Sequence, residues 1–252
     1  MIEGKVAIVT GGGTGIGRAI ATTFAKNGAK VVIAGRTAET IEAAARDIDG
    51  KAVVCDVTKI ADVERLFEEA KSITGRVDIL VNNAGVTGPI AAVAEVDLDQ
   101  WRQCFDINVM GTINCLQVAA RIMGAQGAGS IVNMSSLIGL KGYPMRSAYA
   151  ATKFAIIGIT ESVAREVGPQ GVRVNALCPG AVSGELMDRV IARRAKAEGR
   201  SPEEIIKENY TDVAALRRWV APEEVAEAAL FLASDRSSSI TGERIKVDAG
   251  RF

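Results

Sequence analysis

The chain has 252 residues, 48% of them hydrophobic and 4% aromatic, and its 30 basic residues balance its 30 acidic ones. This length suits one α/β domain with a large core, and the charge balance gives no electrostatic reason to expect nucleic acid or an anionic membrane as a partner. The sequence contains no histidine, which excludes imidazole chemistry and histidine-bearing metal sites. We therefore expect no metal, and acid–base chemistry from Tyr, Lys, Cys or carboxylate groups.

The chain enters an apolar stretch directly after Met1, without the pattern of a signal peptide, and no apolar run is long enough to span a membrane. Its four cysteines show no CxxC pairing, so buried, reduced thiols are expected. These features predict a soluble, cytoplasmic protein whose partner is a small molecule.

Short β-branched runs alternate with longer amphipathic ones along the chain, which predicts βαβ units around a parallel sheet. The expected strands are Lys5–Thr10, Lys30–Gly35, Lys51–Cys55, Asp78–Asn82, Ser130–Met134, Val172–Cys178 and Arg244–Val247. The expected helices are Gly15–Asn27, Ala38–Asp47, Ile60–Ser72, Asp97–Met123, Ala148–Val167 and Pro222–Ala233. The strand runs are apolar throughout, as expected for strands covered on both faces. The sequence therefore predicts one doubly wound α/β domain over residues 1–252, with a seven-stranded parallel sheet and helices on both faces.

The stretch from Ser183 to Val220 departs from this alternation, because it is charged and helical and has no strand of its own. Ser201, Pro202 and Glu204 have the spacing of a capped helix start, so a second helix is expected there. An excursion after the sixth strand lies where α/β sheets bind ligands. We interpret residues 183–220 as a substrate lid; a helical hairpin without a role in binding, or an oligomer contact, is the alternative.

A glycine-rich turn, Thr10-Gly-Gly-Gly-Thr-Gly-Ile-Gly17, follows the first strand and opens into a helix. Glycines allow a tight turn and a close approach of the backbone to a pyrophosphate, and the helix N-terminus offers N–H groups to the phosphates. This context predicts a dinucleotide site, to which the turn contributes Gly11, Gly13, Thr14, Gly15, Ile16 and Gly17.

The end of the second strand bears on the choice of cofactor. An acidic residue there would hold a ribose diol, whereas an arginine suits a 2′-phosphate. Gly35 stands where the acid would be and Arg36 follows it, so NADP(H) is favoured over NAD(H). A solvated Arg36 that stacks on the adenine is the alternative.

Tyr149 and Lys153 are four residues apart in a helical pattern and so share one face. A nearby ammonium stabilises phenolate, which predicts a lowered pKa for Tyr149 and a role as base in alcohol oxidation or acid in ketone reduction. Ser135 and Ser136 both end the fifth strand, where a hydroxyl could stabilise charge on a substrate oxygen.

The chain resembles the short-chain dehydrogenases/reductases, which have a Rossmann fold, over nearly its whole length. The resemblance rests on the glycine turn, Asp56, the Asn82-Asn-Ala-Gly85 run, Asn108, Ser136 thirteen residues before Tyr149, the Tyr149-x-x-x-Lys153 pair and Pro179-Gly180. It implies an NAD(P)-dependent oxidoreductase, most often a homotetramer, whose substrate is an alcohol or ketone such as a 3-oxoacyl compound, a small ketone or a sugar alcohol.

The family resemblance also assigns individual roles. It selects Ser136 over Ser135 as the catalytic serine, makes Lys153 a ligand of the nicotinamide ribose, and makes Asn108 the holder of a water that links Lys153 to solvent. The cofactor would also contact Asp56, Val57, Asn83, Ala84, Gly85, Tyr149, Pro179, Gly180 and Val182. Gly184 stands where the family has a threonine that grips the carboxamide; Ser183 is a possible substitute.

Arg146, three residues before Tyr149, and the basic lid residues Arg189, Arg193, Arg194, Lys196 and Arg200 would suit an anionic substrate. A solvated, charge-balanced surface is the alternative. Two other function classes stay open: a non-catalytic cofactor-binding scaffold, and a dehydratase or epimerase that uses bound cofactor transiently.

Overall fold

The computed structural model describes residues 2–184, 187, 188, 190–192, 195 and 199–251. Within these residues seven strands form one sheet in the order β3-β2-β1-β4-β5-β6-β7, and every pairing is parallel. The strands are β1 Val6–Thr10, β2 Lys30–Gly35, β3 Lys51–Val54, β4 Ile79–Asn82, β5 Gly129–Met134, β6 Val172–Pro179 and β7 Arg244–Val247. The predicted fold class is confirmed, and each predicted strand end lies within one residue of its observed position.

Helices surround this sheet. They are α1 Gly15–Lys26, α2 Ala38–Arg46, α3 Ile60–Lys71, α4 Leu98–Phe105, α5 Gly111–Gln126, α6 Ser147–Val167, α7 Pro202–Ile206 and α8 Pro222–Ala233. One prediction was wrong: the single helix expected over Asp97–Met123 is divided by a π-helical turn, Asp106–Met110. The residue at its centre, Asn108, makes tertiary hydrogen bonds that local periodicity cannot reveal.

The sheet separates two apolar cores because alternate side chains of each strand point to opposite faces. In β1, Ala7 and Val9 belong to the core that contains Phe24 of α1, whereas Val6 and Ile8 belong to the core that contains Phe67 of α3. Helices therefore cover both faces, as the apolar strand runs predicted.

The order of the strands determines where along the sheet a ligand crevice lies. After β3 the chain returns to pair β4 with the other side of β1, so the connections that follow β1 and β4 leave in opposite directions. Ligands bind at such a switch point, outside the carboxyl ends of the strands. The glycine turn, Asn83 and Ser136 all lie at this edge.

The helix start predicted at Ser201 is confirmed. The Ser201 hydroxyl accepts a hydrogen bond from the Glu204 N–H at 3.2 Å, and the Glu204 carboxylate accepts one from the Ser201 N–H at 3.0 Å. Ile205 of α7 packs in a small apolar cluster with Ile191 and Ala195, flanked by Tyr210 and Trp219. This cluster is separate from the two main cores and gives the excursion a core of its own.

The four cysteines are free and buried, as predicted. In the part of the chain that the structure describes, no helix is long and apolar enough to cross a membrane. Nor do the described residues include a group of three or more Cys, Asp or Glu side chains positioned to hold a metal ion.

Candidate active site

The glycine turn between β1 and α1 is packed too tightly for side chains at its two ends. A Cβ added to Gly17 would lie 2.2 Å from the Gly11 carbonyl oxygen, and one added to Gly11 would lie 3.0 Å from the Ala84 Cα. Gly15 differs, since it has a positive φ of 51° and nothing within 4 Å of an added Cβ. Its exposed backbone offers the close approach that a pyrophosphate requires.

The N-terminus of α1 is open to an anion. Thr14, its N-cap, makes no side-chain capping hydrogen bond, and no acidic residue lies in the first turn. The first N–H groups of α1 are thus left for another acceptor, and the helix dipole favours a negative charge there. Thr14 and Gly15 are exposed, whereas Gly13 and Gly17 are buried beneath them.

Hydrogen bonds between Thr10, Gly11, Asn83 and Ala84 hold this turn against the end of β4. The Thr10 hydroxyl accepts from the N–H groups of Asn83 and Ala84, both at 3.0 Å, and the Asn83 side chain donates to the carbonyls of Thr10 and Gly11. Predicted ligands from two separate segments are therefore brought together. The side chain of Asn83 and its backbone N–H are therefore both used within the protein.

The predicted adenosine end of the site is a cavity of about 370 Å³. It is lined by Arg36, Asp56, Thr58, Gln103, Asp106, Ile107 and Met110. Arg36 is exposed, so its guanidinium is accessible to a ligand, and Val57 is buried beside Asp56. One oxygen of Asp56 accepts from the N–H and hydroxyl of Thr58, at 3.1 and 2.8 Å. Gln103 and Asp106 were not predicted to lie here, because they come from a distant segment.

Gly35 has little room for the acidic side chain whose place it takes. A Cβ there would lie 2.8 Å from the Ile41 Cγ2 atom of α2. Packing of α2 thus disfavours a carboxylate at this position. Arg36, one residue further, is free of that restriction.

Tyr149, Lys153 and Ser136 meet at the carboxyl end of β5. The Lys153 ammonium lies 5.5 Å from the centre of the Tyr149 ring and donates a 2.7 Å hydrogen bond to the Met134 carbonyl. The Ser136 hydroxyl is close enough to the Tyr149 hydroxyl to lower the pKa of that phenol. Ser135 is occupied elsewhere, since its hydroxyl donates to the Lys153 carbonyl at 2.8 Å.

The predicted direction of the Tyr149 pKa shift was wrong. Burial raises the pKa above its ordinary value of 10.0, although the Arg146 guanidinium and the Ser136 hydrogen bond both lower it. Burial also lowers the pKa of Lys153, from 10.5 to about 8. Desolvation acts against both charged forms, and a sequence pattern does not show how deeply a pair is buried.

Asn108 sits in the π-helical turn and binds protein groups. Its side chain accepts from the Val86 N–H at 2.7 Å and donates to the Val86 carbonyl at 2.9 Å and to the Thr152 hydroxyl at 3.1 Å. Asn108 therefore ties α6, through Thr152, to the segment after Asn83-Ala84-Gly85. Turns of this kind are common at functional sites.

Two residues near the site were missed by the sequence reasoning. Thr152 faces Asn108 from α6, and a threonine three residues after Tyr149 carries no signal of its own. Gly139 lets its turn approach α6, because a Cβ there would lie 2.7 Å from the Lys153 carbonyl oxygen.

The segment after β6 completes this edge of the sheet. Gly180 permits close packing, since a Cβ would lie 2.9 Å from the Asp248 Cα. Pro179 is buried, and Val182 is half-buried and pairs with Val220 in an isolated parallel bridge. The Ser183 hydroxyl donates weakly to the Val220 carbonyl at 3.4 Å, while Gly184 is exposed with a φ of 139°.

The basic residues predicted for the lid cannot be treated as one group. Arg200 is paired with Glu208 at 2.6 Å, which fits the charge-balanced alternative for this residue. Arg189, Arg193, Arg194 and Lys196 lie outside the described residues. Arg146 lies at the start of α6, with its guanidinium 4.9 Å from the centre of the Tyr149 ring.

Comparison with known proteins agrees with this geometry. A family model described as enoyl-(acyl carrier protein) reductase matches residues 11–251. The chain is 38% identical to a 3alpha-hydroxysteroid dehydrogenase of Mediterraneibacter gnavus, over 98% of this chain and 97% of that protein. Among solved structures, NAD+-bound xylitol dehydrogenase shares 32% identity with a TM-score of 0.92, covering 99% of each chain. A variant of actinorhodin polyketide ketoreductase with NADPH shares 29% identity with a TM-score of 0.93, covering 98% of this chain and 97% of that one.

The chain belongs to the short-chain dehydrogenase/reductase family. It is an NAD(P)-dependent oxidoreductase of the kind that acts on alcohols and ketones. The xylitol dehydrogenase structure holds NAD+ and the ketoreductase structure holds NADPH, so these two relatives do not decide between the cofactors.

Proposed function

We propose that this enzyme exchanges a hydride between NADP(H) and the carbinol or carbonyl carbon of a substrate, with Tyr149 as the general acid/base. The observation that carries the proposal is the meeting of Ser136, Tyr149 and Lys153 at the sheet edge that also carries the glycine turn. A scaffold that only binds cofactor has no need for these three side chains to meet.

In the direction of ketone reduction, Tyr149 gives its proton to the carbonyl oxygen as that oxygen becomes a hydroxyl. In alcohol oxidation the same phenolic oxygen takes the proton back. Ser136 donates to the substrate oxygen while charge develops on it. The bound nicotinamide supplies or accepts the hydride in this exchange. The raised pKa of Tyr149 keeps the phenol protonated at neutral pH, which favours its role as an acid.

Lys153 and Asn108 act through position. The Lys153 ammonium, held by the Met134 carbonyl, favours the phenolate when the proton has left; it would also donate to the nicotinamide ribose. Asn108 holds the segment after β4 against α6. Its backbone carbonyl accepts from the Thr112 hydroxyl at 2.8 Å, and by resemblance Asn108 would also hold a water.

The residues present fit a dinucleotide. Space is free around the backbone of Gly15, whereas Gly11 and Gly17 are tightly packed. The side chain of Thr14, the N-cap of α1, makes no capping hydrogen bond. Gly13, Thr14 and Ile16 would hold the phosphates with them; Arg36, Asp56 and Val57 the adenosine end; and Asn83, Ala84, Gly85, Pro179, Gly180 and Val182 the nicotinamide side. The exposed Arg36 beside Gly35 favours NADP(H); NAD(H) is the alternative.

We further propose that residues 1–252 form one domain, that residues 183–220 close over the substrate, and that the protein is a cytoplasmic homotetramer, with a dimer as the alternative. Large apolar side chains exposed at Leu98, Met110 and Phe154 support contacts between copies. Light scattering on the purified protein measures this state.

A panel of ketones and secondary alcohols, assayed with NADPH, NADP+, NADH and NAD+, tests the reaction. We expect net oxidation or reduction of free cofactor, with higher kcat/KM for the phosphorylated forms. Substrate turnover without a net change in cofactor absorbance would instead identify an epimerase or dehydratase. Cofactor binding without turnover of any panel member would favour the scaffold.

A further inference from the structure

Arg146 carries a charge that no carboxylate among the described residues balances. The ionisable groups that act on it are the phenols of Tyr149 and Tyr210 and the thiol of Cys104. In the part of the chain that the structure describes, no acidic side chain forms an ion pair with Arg146. Arg218 and Arg244, which are more exposed than Arg146, do have such partners, Glu224 and Glu161. The solvated, charge-balanced alternative therefore does not describe Arg146.

The guanidinium is also short of hydrogen-bond acceptors. One terminal nitrogen donates to the Thr87 carbonyl at 3.1 Å, whereas the Nε–H is buried and has no partner. A buried donor without an acceptor is destabilising. A carboxylate from outside the chain would accept from two N–H groups of a guanidinium at once.

The protein fixes this side chain at the reaction centre. Met145, just before it, has a left-handed φ of 62°, a conformation that is uncommon in residues other than glycine. The Met145 carbonyl accepts from the Ala91 N–H at 3.1 Å. This strained turn and the Thr87 contact hold the guanidinium 4.9 Å from the centre of the Tyr149 ring.

We propose that the substrate carries a carboxylate close to its reacting carbon and that Arg146 binds this carboxylate. The inference rests on the proposed function, since it takes Tyr149 as the proton donor. Because Arg146 lies against Tyr149 itself, the anionic group must be near the carbonyl. Short oxo acids and hydroxy acids meet this requirement. A substrate whose only negative charge lies many bonds from the carbonyl does not.

For oxo acids and hydroxy acids, the reaction is the same exchange of a hydride and a proton that is proposed above. A hydride from the reduced cofactor forms the new C–H bond at the oxo carbon, and the Tyr149 proton forms the new O–H bond. The carboxylate remains ionised and unchanged, and the cofactor leaves oxidised. Arg146 is then the residue that determines specificity, because it orients the carbon without exchanging a proton.

The test compares 2-oxo and 3-oxo acids with their methyl esters in wild type, Arg146→Gln and Arg146→Lys. We expect wild type to prefer each acid over its ester, and Arg146→Gln to lower the acid-to-ester ratio of kcat/KM by roughly tenfold to a hundredfold, as expected for a hydrogen bond to a charged group. Arg146→Lys should restore part of the ratio, because lysine returns the positive charge but not the paired N–H donors of a guanidinium. Arg102→Gln is the matched control, since Arg102 is exposed on α4 and pairs with Asp99.

Several results would overturn the inference. One is a wild-type preference for the esters, which can be measured even if no Arg146 variant folds. Another is an equal loss for acids and esters in Arg146→Gln, which would mean that Arg146 acts only on the Tyr149 pKa. Turnover of neutral ketones without any preference for acids would remove the inference and leave the proposed function standing. The absence of net redox turnover with every compound would instead remove the proposed function.

Discussion

The cofactor half of the crevice is built from backbone, and the substrate half is built from side chains. On the cofactor side, Gly11 and Gly17 allow close contacts, Gly15 leaves the backbone open, and Thr10 and Asn83 lock the turn. On the substrate side, the proposed function depends on where four side chains point: those of Ser136, Arg146, Tyr149 and Lys153. A backbone cradle defines the class of ligand, whereas side chains near the reacting atoms choose among substrates. This explains why the family is plain from the sequence and the substrate is not.

The largest effect is expected on the substrate side. Removal of the Tyr149 hydroxyl in Tyr149→Phe deprives the reaction of its proton donor, so kcat should fall by about 10²- to 10⁴-fold. The cofactor half should be unaffected, and cofactor affinity should change little. Steady-state kinetics and titration of cofactor fluorescence measure the two quantities, with Tyr143→Phe as control. Wild-type turnover in Tyr149→Phe would contradict the assignment of the proton donor to the substrate half.

Gly17→Ala should affect the cofactor half. The new methyl group would meet the Gly11 carbonyl oxygen at 2.2 Å, so the turn has to open, and we expect roughly a tenfold or greater loss of cofactor affinity together with a lower Tm. Gly158→Ala is the matched control. A Cβ at Gly158 has nothing within 4 Å, and alanine within α6 should stabilise the fold by about 0.5–1 kcal/mol. Similar affinities in the two variants would contradict the proposed role of the turn.

Arg36→Gln sharpens the assignment of the adenosine end. Loss of a charged contact to the 2′-phosphate should reduce the ratio of kcat/KM for NADPH to that for NADH by about tenfold, since hydrogen bonds to charged groups contribute about 1.5–3 kcal/mol. Arg46→Gln, at an exposed position of α2, should leave the ratio unchanged. An unchanged ratio in Arg36→Gln would favour the alternative in which Arg36 only stacks on the adenine.

The smallest effect concerns stability, outside both halves. Burial raises the pKa of Cys55 to about 12 and that of Cys115 further, from an ordinary value of 9.0. The folded state therefore keeps protons that the unfolded state loses, so stability is fully present below pH 9 and declines as pH rises toward 12. Cys115→Ala should make this decline shallower. Urea unfolding at two alkaline pH values measures it, and an unchanged slope would contradict the burial argument.

The sequence was informative where a residue pattern is tied to backbone geometry. Strand ends were placed within one residue because apolar runs and the glycine turn mark them, and the Ser201 helix start follows from a local capping pattern. Three features depended on packing instead. The π-helical turn at Asn108 is associated with hydrogen bonds to Val86 and Thr152, the raised pKa of Tyr149 reflects burial, and the lack of an acidic partner for Arg146 among the described residues depends on its surroundings. None of these leaves a periodic signal in the sequence.

The central claim is that Tyr149 holds the proton that the reaction exchanges. Its most direct test is the pH dependence of hydride transfer during single-turnover alcohol oxidation. In wild type the rate should rise with pH as the phenol ionises. In Ser136→Ala that rise should move to higher pH, because the hydrogen bond that lowers the Tyr149 pKa is lost, and in Tyr149→Phe it should disappear. A rise that persisted unchanged in Tyr149→Phe would show that another group takes the proton.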